Sequence, residues 1–417
     1  MAKLNRRYFL VGLILLILVF FFGNILHNIE VKWKKTKGII NVSEFDAVGD
    51  GSDETSKLQS AFSYALQNNL SIEMGVKREY AVSDQIKLEL AQNQKISIIG
   101  NGSTIKFIGT GKAGVTSIIE INDNSTKNLT NTIIEVSNLK FDGRGVPEQW
   151  SETTYSNIKQ LWGLTLRADT IRLKNLQFKN VYGYGVKVRG FQSVSINGFQ
   201  SQNVGGSWNT NDTYDAFGDS IYIGGGKQPN NTALIENVHA VGYPSDRPRK
   251  SRIGLTFEKN VEIANIKNLY IEGYNRAWHV EGSPNINLTI QNMKTRRSDL
   301  HGYVHTGYKA ILINSWDAEC KEGDSYGGRS GILAFDTIAD TPRTFEVERG
   351  KFLIFNDLST NFASEKVVLK DSNFVNKGGK QKIAGGHIIF KDVKSKGSAL
   401  KLYKTQVEVQ DFIREEY

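Results

Sequence analysis

IIEVSNLKF (133–141), IRLKNLQF (171–178), SVSINGF (193–199), ALIENVHAV (233–241), IKNLYI (266–271), LTIQNMK (288–294) and ILINSW (311–316) repeat one phrase: an apolar strand, an asparagine, a second apolar strand. The asparagines are Asn138, Asn175, Asn197, Asn237, Asn268, Asn292 and Asn314, with successive separations of 37, 22, 40, 31, 24 and 22 residues. The short separations set a coil of about 22 residues, and the longer ones mark coils carrying inserted loops; short strands at such a period are the signature of a solenoid. An asparagine at a fixed turn tolerates left-handed backbone, and its amide can bond to the asparagine of the next coil. A β-sandwich with Asn-rich turns has no reason to keep one asparagine between two strands.

A further strand lies between one asparagine turn and the next: GLTLRA (163–168), GVKVRG (185–190), SIYIGG (220–225), IGLTFEK (253–259), AWHVEG (277–282) and GYVHTG (302–307). Side chains alternate along a strand. With Val186 and Val188 inward, Lys187 and Arg189 point out, as do Thr165 and Arg167, Tyr222, Thr256 and Glu258, His279 and Glu281, and Tyr303 and His305. Coils stack ~4.8 Å apart, so these residues are expected to form a ladder on one exposed parallel sheet. Two inserts, 201–219 and 242–252, precede strands of this sheet and are placed to wall a groove, since long loops carry function more often than short ones. They supply Trp208, Tyr214, Asp215, Asp219, Arg247, Arg249, Lys250 and Arg252.

At the start of the body, Gly49-Asp50-Gly51 makes a turn and Asp53 is expected to cap a helix beginning near Glu54, with Leu58, Phe62, Ala65 and Leu66 on one face. EFDAVGDGSDET (44–55) resembles the strand–GDG–helix entry of the pectate-lyase-like superfamily, which includes polygalacturonases and phage-tail depolymerases. IGNGSTIKF (99–107) is similar to its first coils, and GDSIYIGGG (218–226) and RKSRIGLTFEKNVEIANI (249–266) to its central ones. The resemblance spans roughly residues 40–320 and implies an all-β, right-handed parallel β-helix, with glycan bound on the sheet of the ladder. It does not carry over the polygalacturonase catalytic residues. Those enzymes have paired aspartates followed one coil later by a Gly-flanked histidine, whereas here Asp219 precedes Ser220 and the next coil reads Arg252-Ile253-Gly254.

Two chemistries fit the ladder. Glu258 and Glu281 fall at matching positions of neighbouring coils, which brings two carboxyls to about 5 Å, the separation of retaining glycosidases; His279 and Asp219 would assist. The opposing reading is β-elimination or C5-epimerisation of a uronate, with Lys187, Arg189 or Arg252 neutralising the sugar carboxylate and Tyr222, His279 or Tyr303 exchanging the proton. A noncatalytic glycan binder would keep Arg167, Lys187, Arg189, Trp208, Tyr222, Arg252, Tyr303 and His305 without needing the glutamates. Against all three stands a surface pair of glutamates bridged to Lys259 or Arg276.

The formal net charge of +9 suits an acidic polysaccharide, an anionic lipid or a nucleic acid, but no nucleic-acid reader module is present. With 39% hydrophobic and 23% charged residues the body is not a multi-span membrane protein, and 40 glycines against 6 prolines exclude a proline-rich or collagen-like chain. Cys320 is the single cysteine, which excludes an internal disulfide framework and a cysteine-based zinc site. No metal or cofactor is expected from the ladder; oxygen ligands for calcium occur in the turn from Asn209 to Asp215. GGGK at 224–227 lacks the spacing of a phosphate-binding loop.

At the N-terminus a short basic tail (1–7, with Lys3, Arg6 and Arg7) leads into an uncharged run. Residues 8–26 are read as one uncleaved transmembrane signal-anchor, residues 27–39 as a basic stalk, and the body as lying outside the cytoplasm. Residues 40–417 are assigned to the β-helix, with a capping helix over 54–67 and coils over about 95–400. The expected function is a membrane-tethered enzyme that cleaves glycosidic bonds of an acidic polysaccharide.

Overall fold

The computed structural model describes residues 38–109, 114–124, 130–143, 159–206, 218–227, 229–243, 251–305, 307–319, 331–335, 343–354, 358–376, 381–396, 400–403, 406–409 and 412–415. The basic tail, the anchor over 8–26, nearly all of the stalk, Trp208, the 209–215 turn and Cys320 lie outside the described residues. Among the described residues no helix is long and apolar enough to cross a membrane.

From Lys95 onward nearly every strand pairs in parallel with the strand two further along the chain. Thr170 lies opposite Ser193, Ser193 opposite Thr232, Thr232 opposite Ile263, Ile263 opposite Asn287 and Asn287 opposite Ala310, residue for residue without slippage. The chain therefore advances one coil per two strands, and the fold is a parallel β-helix. The stacking continues past the expected limit of about 400: Phe412–Glu415 pairs in parallel with Val393–Lys396.

The long strands bend at residues in the left-handed region. Asn138, Asn175, Asn237, Asn268 and Asn292 hold φ between 51° and 58°. Their amides form a ladder: Asn175 Nδ2 donates to Asn138 Oδ1 (3.0 Å), Asn268 to Asn237 (2.9 Å) and Asn292 to Asn268 (3.2 Å). Asn197 and Asn314 differ from the expectation, because the bend falls one residue later, at Gly198 (φ 77°) and Ser315 (φ 75°). A Cβ on Gly198 would meet Asn175 Oδ1 at 2.5 Å, so only glycine fits beneath that amide. Asn197 still joins the ladder from its shifted position, accepting from Asn237 Nδ2 at 3.1 Å.

Inward positions stack like with like along the axis. The rings of Phe141 and Phe178 are 4.7 Å apart and 3° from parallel, with Phe199 5.3 Å beyond; Trp316, Phe352 and Phe374 continue the column at 5.5 and 4.8 Å. The helix α1 (Thr55–Gln67) buries Leu58, Ala61, Phe62, Ala65 and Leu66 against the first coils. Its cap differs from the expectation by one residue. Glu54 holds the cap position and turns its buried carboxylate back to the backbone N–H groups of Val48 (2.6 Å) and Gly49 (3.0 Å). Asp53 instead accepts from the Thr55 N–H (3.1 Å) and from the Ser83 hydroxyl (2.5 Å), tying the helix start to the next strand. Those hydroxyl bonds, Ser83 first, hold its carboxyl below the usual range.

Candidate functional site

The ladder strands are β1 (Lys159–Arg167), β2 (Val186–Arg189), β3 (Asp219–Gly224), β4 (Ser251–Glu258), β5 (Tyr274–Glu281) and β6 (Leu300–His305). They stack in parallel in that order, and their register gives two rows. One contains Thr165, Lys187, Tyr222, Thr256, His279 and Tyr303. The other contains Arg167, Arg189, Gly224, Glu258, Glu281 and His305.

The rows differ in depth, and here the expectation of one exposed sheet is corrected. Every member of the first row is buried, whereas Arg189 is exposed and Arg167, Glu258, Glu281 and His305 are partly open. Local contacts produce the difference. Gly224 has no side chain, and a Cβ there would meet the Tyr222 ring at 2.8 Å. The ring therefore folds over Gly224, its hydroxyl bonding to Glu258. Burial, with the Glu258 charge second, raises the Tyr222 hydroxyl far above its ordinary value.

Lys187 is enclosed by rings. Its ammonium sits 3.9 Å from the centroid of Trp162, 4.0 Å from Tyr184 and 5.4 Å from Tyr222. Trp162 packs edge-on against Tyr184 (4.9 Å), and Tyr184 against Tyr222 (5.3 Å). Burial, then the neighbouring Arg189 charge, bring the Lys187 ammonium down to about 7.

Asp219 is fully buried, and its carboxylate accepts from Arg252 Nη1 (2.9 Å) and Thr256 Oγ1 (2.7 Å). Burial raises its carboxyl, against the pull of Arg252. Its contacts make it the support of Arg252 rather than a group facing a substrate.

Glu281 lies between two imidazoles: Oε2 is 3.5 Å from His279 Nε2 and Oε1 is 3.9 Å from His305 Nε2. His279 is 1% exposed, and neither ring nitrogen makes a hydrogen bond among the described residues. Burial holds its pKa well below the ordinary value, with Arg276 adding to the effect, so the ring is neutral and its approach to Glu281 is not an ion pair. The Tyr303 ring packs 5.0 Å from His279, and the Arg276 guanidinium lies over it at 4.0 Å.

Glu258 and Glu281 stand opposite each other in register, as the alternation predicted. Their side chains lean to different partners: Glu258 toward Tyr222 and Lys259 Nζ (3.3 Å), Glu281 toward the histidines. The Lys259 bridge weighed in the sequence reading is thus present, on a Glu258 side chain that keeps 24% of its exposure.

Trp162, Tyr184 and Arg276 were not singled out from the sequence as site residues. A signal for the first two was there: Trp162-Gly163-Leu164 and Tyr184-Gly185-Val186 repeat aromatic–Gly–apolar at the head of successive ladder strands. Among the described residues no group of three or more His, Cys, Asp or Glu is arranged to hold a metal. A cavity of about 480 Å³ lined by Lys140, Asp142, Gln177, Lys179, Gln200 and His239 among others belongs to the bent strands, and neither ladder row lines it.

No protein-family model and no curated protein matches this sequence. Solved structures do. PfbA, a surface adhesin of Streptococcus pneumoniae, is 13% identical, with 90% of this chain and 93% of that one covered and a TM-score of 0.39. Tailspike protein 3 of bacteriophage CBA120 is 11% identical over 92% of this chain and 62% of its own, at 0.43. A hyperthermoactive exopolygalacturonase from Thermotoga maritima is 11% identical over 90% and 91%, at 0.38. The polygalacturonase and tailspike kinds named by the sequence resemblance are therefore among the structures this chain is similar to; likeness at this level carries no argument about chemistry.

Proposed function

We propose that the open row is the active surface of a polysaccharide-cleaving enzyme, with an acidic glycan lying along the coil axis. The observation that carries the reading is the register of Glu258 with Glu281 on that row, continued by Arg189 and Arg167 on one side and His305 on the other. Like charges facing each other across a parallel ladder oppose stability, so a glutamate pair in register needs a purpose other than folding. Glycoside cleavage needs one carboxyl to protonate the leaving oxygen and a second to act on the anomeric carbon or on water. Glu258 and Glu281 supply the two carboxyls. Arg167 and Arg189 hold the polymer's negative groups, and Tyr222, Arg252 and Tyr303 shape the floor.

One further observation favours β-elimination as the second reading: Lys187 and Arg189 place a titrating amine beside a fixed cation. Incubation of the chain with acidic glycans, following reducing ends and the ultraviolet absorbance of unsaturated uronates, separates the readings. Reducing ends alone mean hydrolysis, and both signals mean elimination. Neither signal leaves an epimerase or a noncatalytic binder, and overturns cleavage.

The same proposal places the body outside the cytoplasm on the anchor read over 8–26. Protease added to intact cells should digest the body; protection until lysis would reverse that orientation.

A further inference from the structure

Arg167 and Arg189 each follow directly on the paired residues Leu166 and Val188, and Lys187 lies two residues from Arg189 on the same face. Lys187 and Arg189 lie close enough for one charge to act on the other, and Arg167 ends the neighbouring strand β1, its side chain against Gly190 just past Arg189. Among the described residues none of these three cations has a carboxylate within ion-pair distance, and Arg167 Nε is buried without a hydrogen-bond acceptor. Lys187 is 6% exposed, and its ammonium lies against the faces of Trp162, Tyr184 and Tyr222, with the Asp219 and Glu258 charges acting on it without an ion pair. Trp162 also lies 6.0 Å from the Arg189 guanidinium, so one ring borders both cations. Nearby, Lys227 shows what a neutralised cation looks like in this fold: its ammonium is buried between Asp123 (2.7 Å) and Asp169 (3.0 Å).

Rings stabilise a cation through their quadrupoles, but they supply no counter-charge. We infer that Arg167, Arg189 and the caged Lys187 form an oxyanion pocket, for a carboxylate or sulfate ester on a sugar, which takes up a proton from solution as the anion enters. The inference deepens the glycan reading of this face and rests on it. The oxyanion meets the two guanidiniums, which stay charged at any working pH. Lys187 beneath them responds through the field alone. The titratable and charged groups around it are Arg189 on its own strand, Tyr184 before that strand, Asp219 and Tyr222 from β3, and Glu258 with Lys259 from β4 and its end. Asp219 is occupied by Arg252 and Thr256, and Glu258 by Lys259 and Tyr222, so an incoming oxyanion is the group that changes. An added negative charge favours the ammonium over the amine, and the amine acquires its proton from water.

The test is calorimetric titration of the full chain with polygalacturonate and, separately, dextran sulfate, each in two buffers of different ionisation enthalpy; unsubstituted dextran is the neutral control. At pH 8 the heats should differ between buffers by the amount that reports proton uptake, and at pH 5.5 the difference should vanish because Lys187 is already charged. R167Q with R189Q should weaken binding of the effective polyanion at least tenfold. K187M should abolish proton uptake, and K187R, charged throughout, should keep binding while abolishing uptake. Binding indifferent to R167Q/R189Q, uptake that survives K187M, or no binding of either polyanion overturns the pocket. The native chain separates this inference from the reading beneath it: polyanion binding with proton uptake but no cleavage sinks the enzyme and keeps the pocket, and cleavage without proton uptake does the reverse.

Discussion

The bend of the long strands and the open row of the ladder strands are built by the same coil stacking, yet one repeats its residue and the other does not. At the bend, φ near +55° recurs in successive coils, and asparagine meets that backbone while its amide both donates and accepts along the axis. Identical residues are the self-complementary solution. In the open row, Arg167, Arg189, Gly224, Glu258, Glu281 and His305 share a position without sharing a chemistry. It sets Glu258 and Glu281 opposite each other in register, like charges that facing strands disfavour. Repetition therefore marks what the fold requires, and its absence in a polar row marks what something else requires.

The comparison breaks most visibly at the glutamates. Glu258→Gln and Glu281→Gln should each lower glycan cleavage by about 10²–10⁴-fold while leaving the melting temperature in place, because each removes a proton-transfer group and relieves a like-charge contact. If both variants cleave at the native rate, the unrepeated row is only a surface. Asp219→Ala should act the other way, on stability first. It strips the buried partner from Arg252 and should cost about 3–5 kcal/mol, read from the shift in denaturation midpoint. A shift near zero would mean that Arg252 reaches solvent when Asp219 is gone.

Much of the fold was legible because its demands are local. The asparagine period, the GDG turn and the apolar face of α1 each follow from backbone conformation or burial within one coil. The rows of the site followed as well, since alternation and coil stacking set which residues align. Depth was not legible. Whether Tyr222 stands out or lies down depends on the missing side chain of Gly224 one step along, and whether Lys187 is open depends on Trp162, on the neighbouring strand β1, and on Tyr184, which precedes β2. Asn197 and Asn314 misled by one residue for a related reason: glycine and serine took the left-handed position, and sequence spacing does not reveal which of two adjacent residues bends.

Depth has its own test, at Lys187. Its folded pKa of about 7 lies below the ordinary 10.5, so the folded state prefers the amine. Between those values the unfolded chain holds one proton more than the native chain, and stability rises with pH there. Its contribution is present above 10.5 and is lost as pH falls through 7. The stability of the native protein relative to Lys187→Met should therefore increase from pH 7 to pH 10, by at most about 1.4 kcal/mol per pH unit. Paired denaturation curves at each pH check this, and a pH-independent difference would mean that the ammonium is solvated rather than caged.

The smallest effect sharpens the other half of the comparison. Asn268 combines two roles, a φ of 57° and an amide that bonds Asn237 on one side and Asn292 on the other. Asn268→Ala loses both, and should cost about 2 kcal/mol: ~1–2 for forcing a Cβ residue into left-handed backbone and a further fraction for two exposed amide bonds. Asn268→Gly loses only the amide bonds, gains unfolded-chain freedom, and should cost about 1 kcal/mol. Gly198 already occupies the equivalent bend one coil from Asn175 without displacing the coil register. A glycine variant as damaging as the alanine one would shift the reason for repetition from backbone to amide ladder, and the bend would then be a polar row selected by side-chain chemistry, as the open row is.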